Sequence, residues 1–260
     1  SNNMLSELIL FTILFYIIIC LFGITIGSFL NVCIYRIPKK ENIATTRSHC
    51  MECNTQLKWY DLVPLFSWLF LRGKCRYCKA KISVQYPLVE LANGIGYVWI
   101  FFVNGINFIS ILYCLCFSAM LALSVIDLRT FEIPVGFNIF ILGLGVVRAI
   151  YDFNHIWTYI IGMVCVSGFL FILYLLTAGR GIGGGDIKLM AAAGLLVGWQ
   201  NIIVALCVGC VLGSIIHVTL MFVLKKERML AFGPYLSLGI FLAMLYGKPL
   251  FDWYVSLIVG

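Results

Sequence analysis

Long apolar runs fill most of this chain, and its polar positions cluster between those runs instead of alternating within them. Runs of this length are too long for strands and lack the polar face of a soluble amphipathic helix, so they predict membrane-spanning helices. They fall near residues 5–34, 87–103, 108–126, 134–151, 156–178, 187–198, 200–224 and 232–258. The pattern predicts an all-α polytopic membrane protein with about eight transmembrane helices. A span needs about 20 residues. The sixth run, 187–198, is shorter than that, and is expected to be tilted, re-entrant or shielded by neighbouring helices. The last is broken at Gly247-Lys248-Pro249 and reads as a span plus a short tail helix. The run from Leu8 to Phe22 has no basic segment before it and no small-residue cleavage site after it, so it reads as a retained first span. Ser1-Asn2-Asn3 ahead of Met4 reads as a cloning remnant.

Composition agrees. The chain is 62% hydrophobic and 11% charged, where a soluble domain carries about 25% charged residues. Lys and Arg in the loops then set the orientation. Ten of the eighteen lie in 36–86: Arg36, Lys39, Lys40, Arg47, Lys58, Arg72, Lys74, Arg76, Lys79 and Lys81. That places this segment in the cytosol and the N-terminus outside. Alternating from there, Arg129, Arg180, Lys188, Lys225, Lys226 and Arg228 are also cytosolic, and only Arg148 and Lys248 fall outside. The net charge of +7 is thus accounted for by topology and by attraction to anionic headgroups of the lipid bilayer. No basic, aromatic-interleaved platform points to nucleic acid. The organisation expected is a first transmembrane helix (1–35), a cytosolic four-Cys module (36–86) and a transmembrane core (87–260).

A segment of about fifty residues is too short for a comfortable hydrophobic core and needs a staple. The segment 36–86 contains Cys50-Met51-Glu52-Cys53 and Cys75-Arg76-Tyr77-Cys78, two C-x2-C pairs in one loop. The pattern resembles a zinc ribbon, in which Cys50, Cys53, Cys75 and Cys78 close a tetrahedral structural site with no open position for catalysis. A reducing cytosol disfavours disulfides; free or redox thiols are the alternative. His49 reads as a surface residue. The seven other Cys sit in apolar runs and read as small packing residues. Between the pairs, Trp59 to Gly73 is aromatic and amphipathic enough to lie in the membrane interface.

Two carboxylates stand out. Gly181-Ile182-Gly183-Gly184-Gly185-Asp186-Ile187-Lys188 interrupts two apolar runs. An acid beside such a break is a candidate functional group, although an Asp before an apolar run also serves as a helix cap. Asp127 ends the third run, where a negative charge is disfavoured by the helix dipole. Glu90, by contrast, reads as a first-turn acid favoured by that dipole. Span parity puts Asp127 and Asp186 on the same membrane face. Two adjacent carboxylates do not both ionise readily, so one takes a proton from water while the other polarises a peptide carbonyl and protonates the leaving amine. Asn31, in Gly27–Pro38, is suited to hydrogen-bonding across a helix interface.

Taken together, the chain resembles the bacterial type IV prepilin peptidases, aspartyl proteases of the Gly-x-Gly-Asp class. The matching pieces are Gly27–Pro38, the two Cys pairs, Tyr86–Glu90, Asp127 with Ile133-Pro134, Gly183–Ala191 around Asp186, and Phe232–Tyr235. Val135 stands where the family often has an acid, and Arg129 and Glu132 flank Asp127. The resemblance implies an endopeptidase of the bacterial cytoplasmic membrane, with catalytic Asp127 and Asp186. It implies cleavage of the leader of prepilins and pseudopilins after Gly at the cytosolic face, in type IV pilus assembly and protein secretion. It also implies N-methylation of the new terminus with S-adenosylmethionine, which we place near the four-Cys module and the Glu90–Gly94 turn. The alternatives are a preflagellin-type or presenilin-like peptidase, against which the Cys module argues, a proton-coupled transporter relaying protons through Asp127 and Asp186, and a zinc-bearing membrane scaffold without chemistry.

Overall fold

Every one of the eight apolar runs is a helix in the computed structural model, which describes residues 2–43, 47–179, 181–224 and 231–259. The helices are α1 (Asn2–Arg36), the short α2 (Phe66–Phe70), α3 (Gln85–Asn104), α4 (Phe108–Thr130), α5 (Val135–Tyr151), α6 (Ile156–Leu176), α7 (Gly184–Val197), α8 (Trp199–Leu224) and α9 (Gly233–Val259). No strand forms among the described residues, only the isolated bridges His49–Gln56 and Lys74–Lys81. Five segments are long and apolar enough to cross a membrane: Ser6–Arg36, Gln85–Asn104, Phe108–Thr130, Phe153–Leu176 and Trp199–Phe222. α5 is apolar but spans 17 residues, and α9 carries Lys248, Pro249 and Asp252 within it. Arg180, Lys225, Lys226 and Arg228, which entered the charge tally, lie outside the described residues.

The chain divides into two compact units, Ser1–Gly105 and Ile106–Gly260. The division falls one helix later than the boundary at residue 86 read from composition, because α3 packs along α1. An added Cβ on Gly27 would lie 2.7 Å from Glu90 Cα, and one on Gly94 would lie 2.7 Å from Ile24 Cγ1. Only a bare backbone allows this approach. Asn31 works across the same seam: its Nδ2 donates to the Tyr86 carbonyl at 3.1 Å, and its Oδ1 accepts from Gln85 Nε2 at 3.4 Å. One helical face further along, Asn93 Nδ2 donates to the Gly23 carbonyl at 2.8 Å.

In the second unit α7 is the central element. Its 14 residues rise only about 21 Å, short of the roughly 30 Å hydrocarbon core. Leu189, Met190, Ala193 and Leu196 are all fully enclosed, so α7 is sheathed in protein, as a helix apolar on every side must be. Neighbouring α5 and α6 supply most of that sheath. An added Cβ on Gly194 would collide with the Gly162 carbonyl, so α6 and α7 meet backbone to backbone. α9 packs chiefly along α8 and also reaches α4 and α7.

Candidate active site and metal centre

The two aspartates both lie in the second unit. Asp127 stands in the last turn of α4 and Asp186 is the third residue of α7; both are buried. Ile133 links their surroundings, packing on Gly185, next to Asp186, and on Gly233, beside Asp127. Asp127 is held by a glycine amide. The Gly233 N–H, first in α9, donates to Asp127 Oδ2 at 3.0 Å. The Asp186 carboxylate folds back over Gly183, where an added Cβ would lie 3.1 Å from its Oδ2. Asp186 is therefore not the N-cap of α7; that position is Gly183, which offers no side chain.

Two neighbours complete the setting. Ile133 packs its side chain against Gly185, where an added Cβ would lie 3.0 Å from Ile133 Cβ, and against Gly233, at 3.2 Å from Ile133 Cδ1. It thereby packs between the start of α7, which carries Asp186, and the start of α9, whose first amide binds Asp127. Asn138 on α5 donates from Nδ2 to the Gly185 carbonyl at 3.4 Å. Among the described residues, its Oδ1 has no partner, and neither does Ser237 Oγ, one turn beyond Gly233. Arg129, Glu132 and Val135 are all exposed. The sequence reading did not single out Gly233, Ile133, Asn138 or Ser237 for a role. A polar Asn inside an apolar run was the available signal. For Gly233 the signal was the break Phe232-Gly233-Pro234 before the last run.

The first unit brings Cys50, Cys53, Cys75 and Cys78 together, their sulfurs all within 4.8 Å of one another. The two C-x2-C turns are built alike. The first Cys of each pair donates its amide across the turn, Cys50 to the Thr55 carbonyl at 3.0 Å and Cys75 to the Ala80 carbonyl at 2.8 Å. The residue after the second Cys is left-handed in both, Asn54 at φ 54° and Lys79 at φ 62°. Hydrogen bonding from Thr55 holds the Cys53 thiol down at about 6, and the backbone of Cys78 lowers Cys75. Against the Ala80 backbone, which lowers it, burial and the neighbouring thiols push Cys78 up to about 12, so ligation, which takes the thiolate, must displace protons from the cluster. His49 is not part of the cluster; its Nδ1 faces the Arg47 carbonyl at 3.4 Å.

The amphipathic stretch is moored to this module. Asp61 accepts from Arg76 Nε at 2.7 Å and from the Tyr77 hydroxyl at 3.1 Å, so both residues between Cys75 and Cys78 grip it. Burial acts to raise Asp61, but these hydrogen bonds outweigh it and hold the carboxyl below its usual range. Trp68 Nε1 donates to the Ile82 carbonyl at 3.3 Å, while Trp59, Leu69 and Phe70 stay exposed, an apolar face available to a membrane interface.

Between this module and the α1–α3 pair lies a cavity of about 560 Å³, lined by Phe29, Tyr35, Trp68, Tyr86, Glu41 and Glu90 among others. Glu90 is the sixth residue of α3 and not in its first turn, so the dipole reading is corrected. Its Oε2 instead accepts from the Leu65 amide at 2.8 Å. Leu65 is held at φ 58°, ψ −54°, with the Phe66 amide donating to the Pro64 carbonyl at 2.6 Å. This is the rarer, strained hand of γ-turn. Gly94 faces α1 and does not line the cavity.

Comparison with known proteins covers both units. Residues 21–104 match the bacterial peptidase A24 N-terminal domain, and residues 114–218 match the type IV leader peptidase family. The chain is 31% identical to the prepilin leader peptidase/N-methyltransferase of Aeromonas salmonicida (strain A449), covering 95% of this chain and 96% of that protein. The protein of the same description from Aeromonas hydrophila is 31% identical over 94% of each chain. That from Stutzerimonas stutzeri is 31% identical over 90% of this chain and 91% of its own. No solved structure matches the chain significantly.

Proposed function

This chain belongs to the type IV leader peptidase family, and on that footing we propose that its two units carry two successive reactions on one substrate class. It is a multi-pass membrane enzyme that removes the leader of prepilins and methylates the amino terminus so exposed. The observation that supports the peptidase half is the burial of Asp127 and Asp186 at the ends of α4 and α7, with Ile133 packed on Gly185 beside one and on Gly233 beside the other.

We assign catalysis of cleavage to this pair. One carboxylate takes a proton from water as the water oxygen bonds to the peptide carbonyl carbon. The other, protonated, donates to the carbonyl oxygen and then passes its proton to the departing nitrogen. The C–N bond breaks, the leader leaves with a carboxyl terminus, and the mature chain keeps a new amine. The Gly233 amide orients the Asp127 carboxylate, so that group does not have to be rearranged during the step. The cut is placed after Gly on the cytosolic side. The concentration of Lys and Arg in 36–86 supports that orientation, with the N-terminus outside. A proton-coupled transporter fits less well, because its ionisable groups belong near mid-membrane and these two lie at helix ends.

We place methyl transfer in the first unit. Its cavity is of a size suited to a small cofactor, about 300–1,000 Å³. Aromatic faces (Phe29, Tyr35, Trp68, Tyr86) together with the Glu90 carboxylate suit a ligand that is both flat-ringed and cationic. S-adenosylmethionine, when bound, supplies an activated methyl group on a sulfonium. Glu90 and its neighbours would hold that cation and exclude water from it. The four thiols fit zinc, which would close the two turns around a structural centre and leave no coordination position for chemistry.

The test is direct: incubate the purified protein with a prepilin, first without and then with S-adenosylmethionine, and follow the mass of the substrate. Loss of the leader alone, followed by gain of one methyl group, is the expected sequence. An intact leader after prolonged incubation refutes the reading.

A further inference from the structure

Asn138 holds an unmet hydrogen-bonding requirement beside the carboxylate pair. It is the fourth residue of α5 and only 5% exposed. Its Nδ2 donates to the carbonyl of Gly185, the residue before Asp186. Its Oδ1 is sealed from solvent and has no partner among the described residues. The side chain cannot escape by turning over, since that would set its oxygen against the Gly185 oxygen, acceptor against acceptor. Gly185 thus fixes which end of the amide is left open. Buried acceptors without donors are rare, and each calls for an explanation. Ile133, packed on both Gly185 and Gly233, ties the entrance of α5 to the residue before Asp186 and to the amide that binds Asp127.

A peptide offers the missing donor. The first four N–H groups of any helix have no partner within it. A chain cut at the start of a helix, or drawn out straight beside it, presents such amides to the enzyme. Resting on the reading of Asp127 and Asp186 as a peptidase pair, we propose that Asn138 is a substrate-binding residue of that site: its Oδ1 accepts one backbone N–H of the prepilin next to the scissile bond. Asn138 then does two things at once. Nδ2 sets the backbone entering Asp186, and Oδ1 registers the substrate against that acid.

The experiment is a coupling measurement. Prepilins are prepared with a single backbone amide replaced by an ester, one position at a time on either side of the scissile bond. Each replacement deletes one N–H. Relative kcat/KM values are compared for the wild type, Asn138→Ala and Asn138→Ser, the second variant serving if the first fails to fold. At one position the ester should cost the wild type about tenfold, equivalent to about 1.4 kcal/mol, and cost the variants little. A merely structural Asn138 would slow all substrates alike and leave every ester penalty unchanged, and that result overturns the proposal. Failure of the wild type to cleave the all-amide prepilin would instead refute the peptidase reading, and this proposal with it.

Discussion

The Gly233 amide donates to Asp127 Oδ2 at 3.0 Å, so the first N–H of α9 meets an acid in the last turn of α4. The carbonyl end of its own helix disfavours that acid, while the amino end of another favours it. The position that looked unfavourable within one helix is thus compensated by a neighbour more than a hundred residues later in the chain.

Gly233 should be intolerant of any side chain. A Cβ there would stand 2.7 Å from Asp127 Oδ2 and 3.2 Å from Ile133 Cδ1. Gly233→Ala is expected to push the carboxyl out of position and remove a charge-assisted hydrogen bond worth about 1.5–3 kcal/mol. That corresponds to roughly a 10- to 100-fold loss in the rate of leader removal. Cleavage kinetics with helical content checked by circular dichroism decide it; wild-type rates in Gly233→Ala would refute this role.

Metal loading of the first unit should be acid-sensitive. Thr55 lowers Cys53 to about 6 while, against the Ala80 backbone, burial and the neighbouring thiols raise Cys78 to about 12, so zinc must displace protons to bind, and acid, by restoring them, competes with the metal. Zinc content measured after equilibration across pH 5–8 should therefore fall on the acid side, and Cys53→Ser should lower it at every pH. A metal content insensitive to both would argue against the four-thiol centre.

Glu90 should matter to methyl transfer and not to cleavage. Glu90→Ala removes the acceptor of the Leu65 amide and frees a strained turn beside the cavity. Methylation of a leaderless substrate is expected to fall by about tenfold or more, in line with a lost charge-assisted bond. Limited proteolysis within 59–71 should become faster. Equal loss of both activities would point to general damage instead.

The helices were largely legible because membrane burial writes itself as uninterrupted apolar length. All eight runs formed, and Asn31 does cross the α1–α3 seam. The four Cys were equally legible, since metal-ligand spacing is local. What escaped was side-chain partnership at a distance. Glu90 looked like a first-turn acid, yet α3 begins at Gln85 and the carboxylate serves Leu65. The alternative of Asp186 as an N-cap is excluded only by the helix boundary, since it stands third in α7. Asn138 gave only the weak signal of one polar residue in an apolar run. The grouping of α3 with α1 depends on glycines whose close approach becomes visible only once both helices are placed.

The carboxylate pair is tested most directly by Asp127→Asn and Asp186→Asn, each purified, shown to be folded, and assayed separately for leader removal from a prepilin and for methylation of a leaderless substrate. Leader removal should be lost in both variants, by at least the factor of about 10²–10⁴ that general acid–base catalysis contributes, while methylation persists. Leader removal at the wild-type rate in either variant would contradict the assignment.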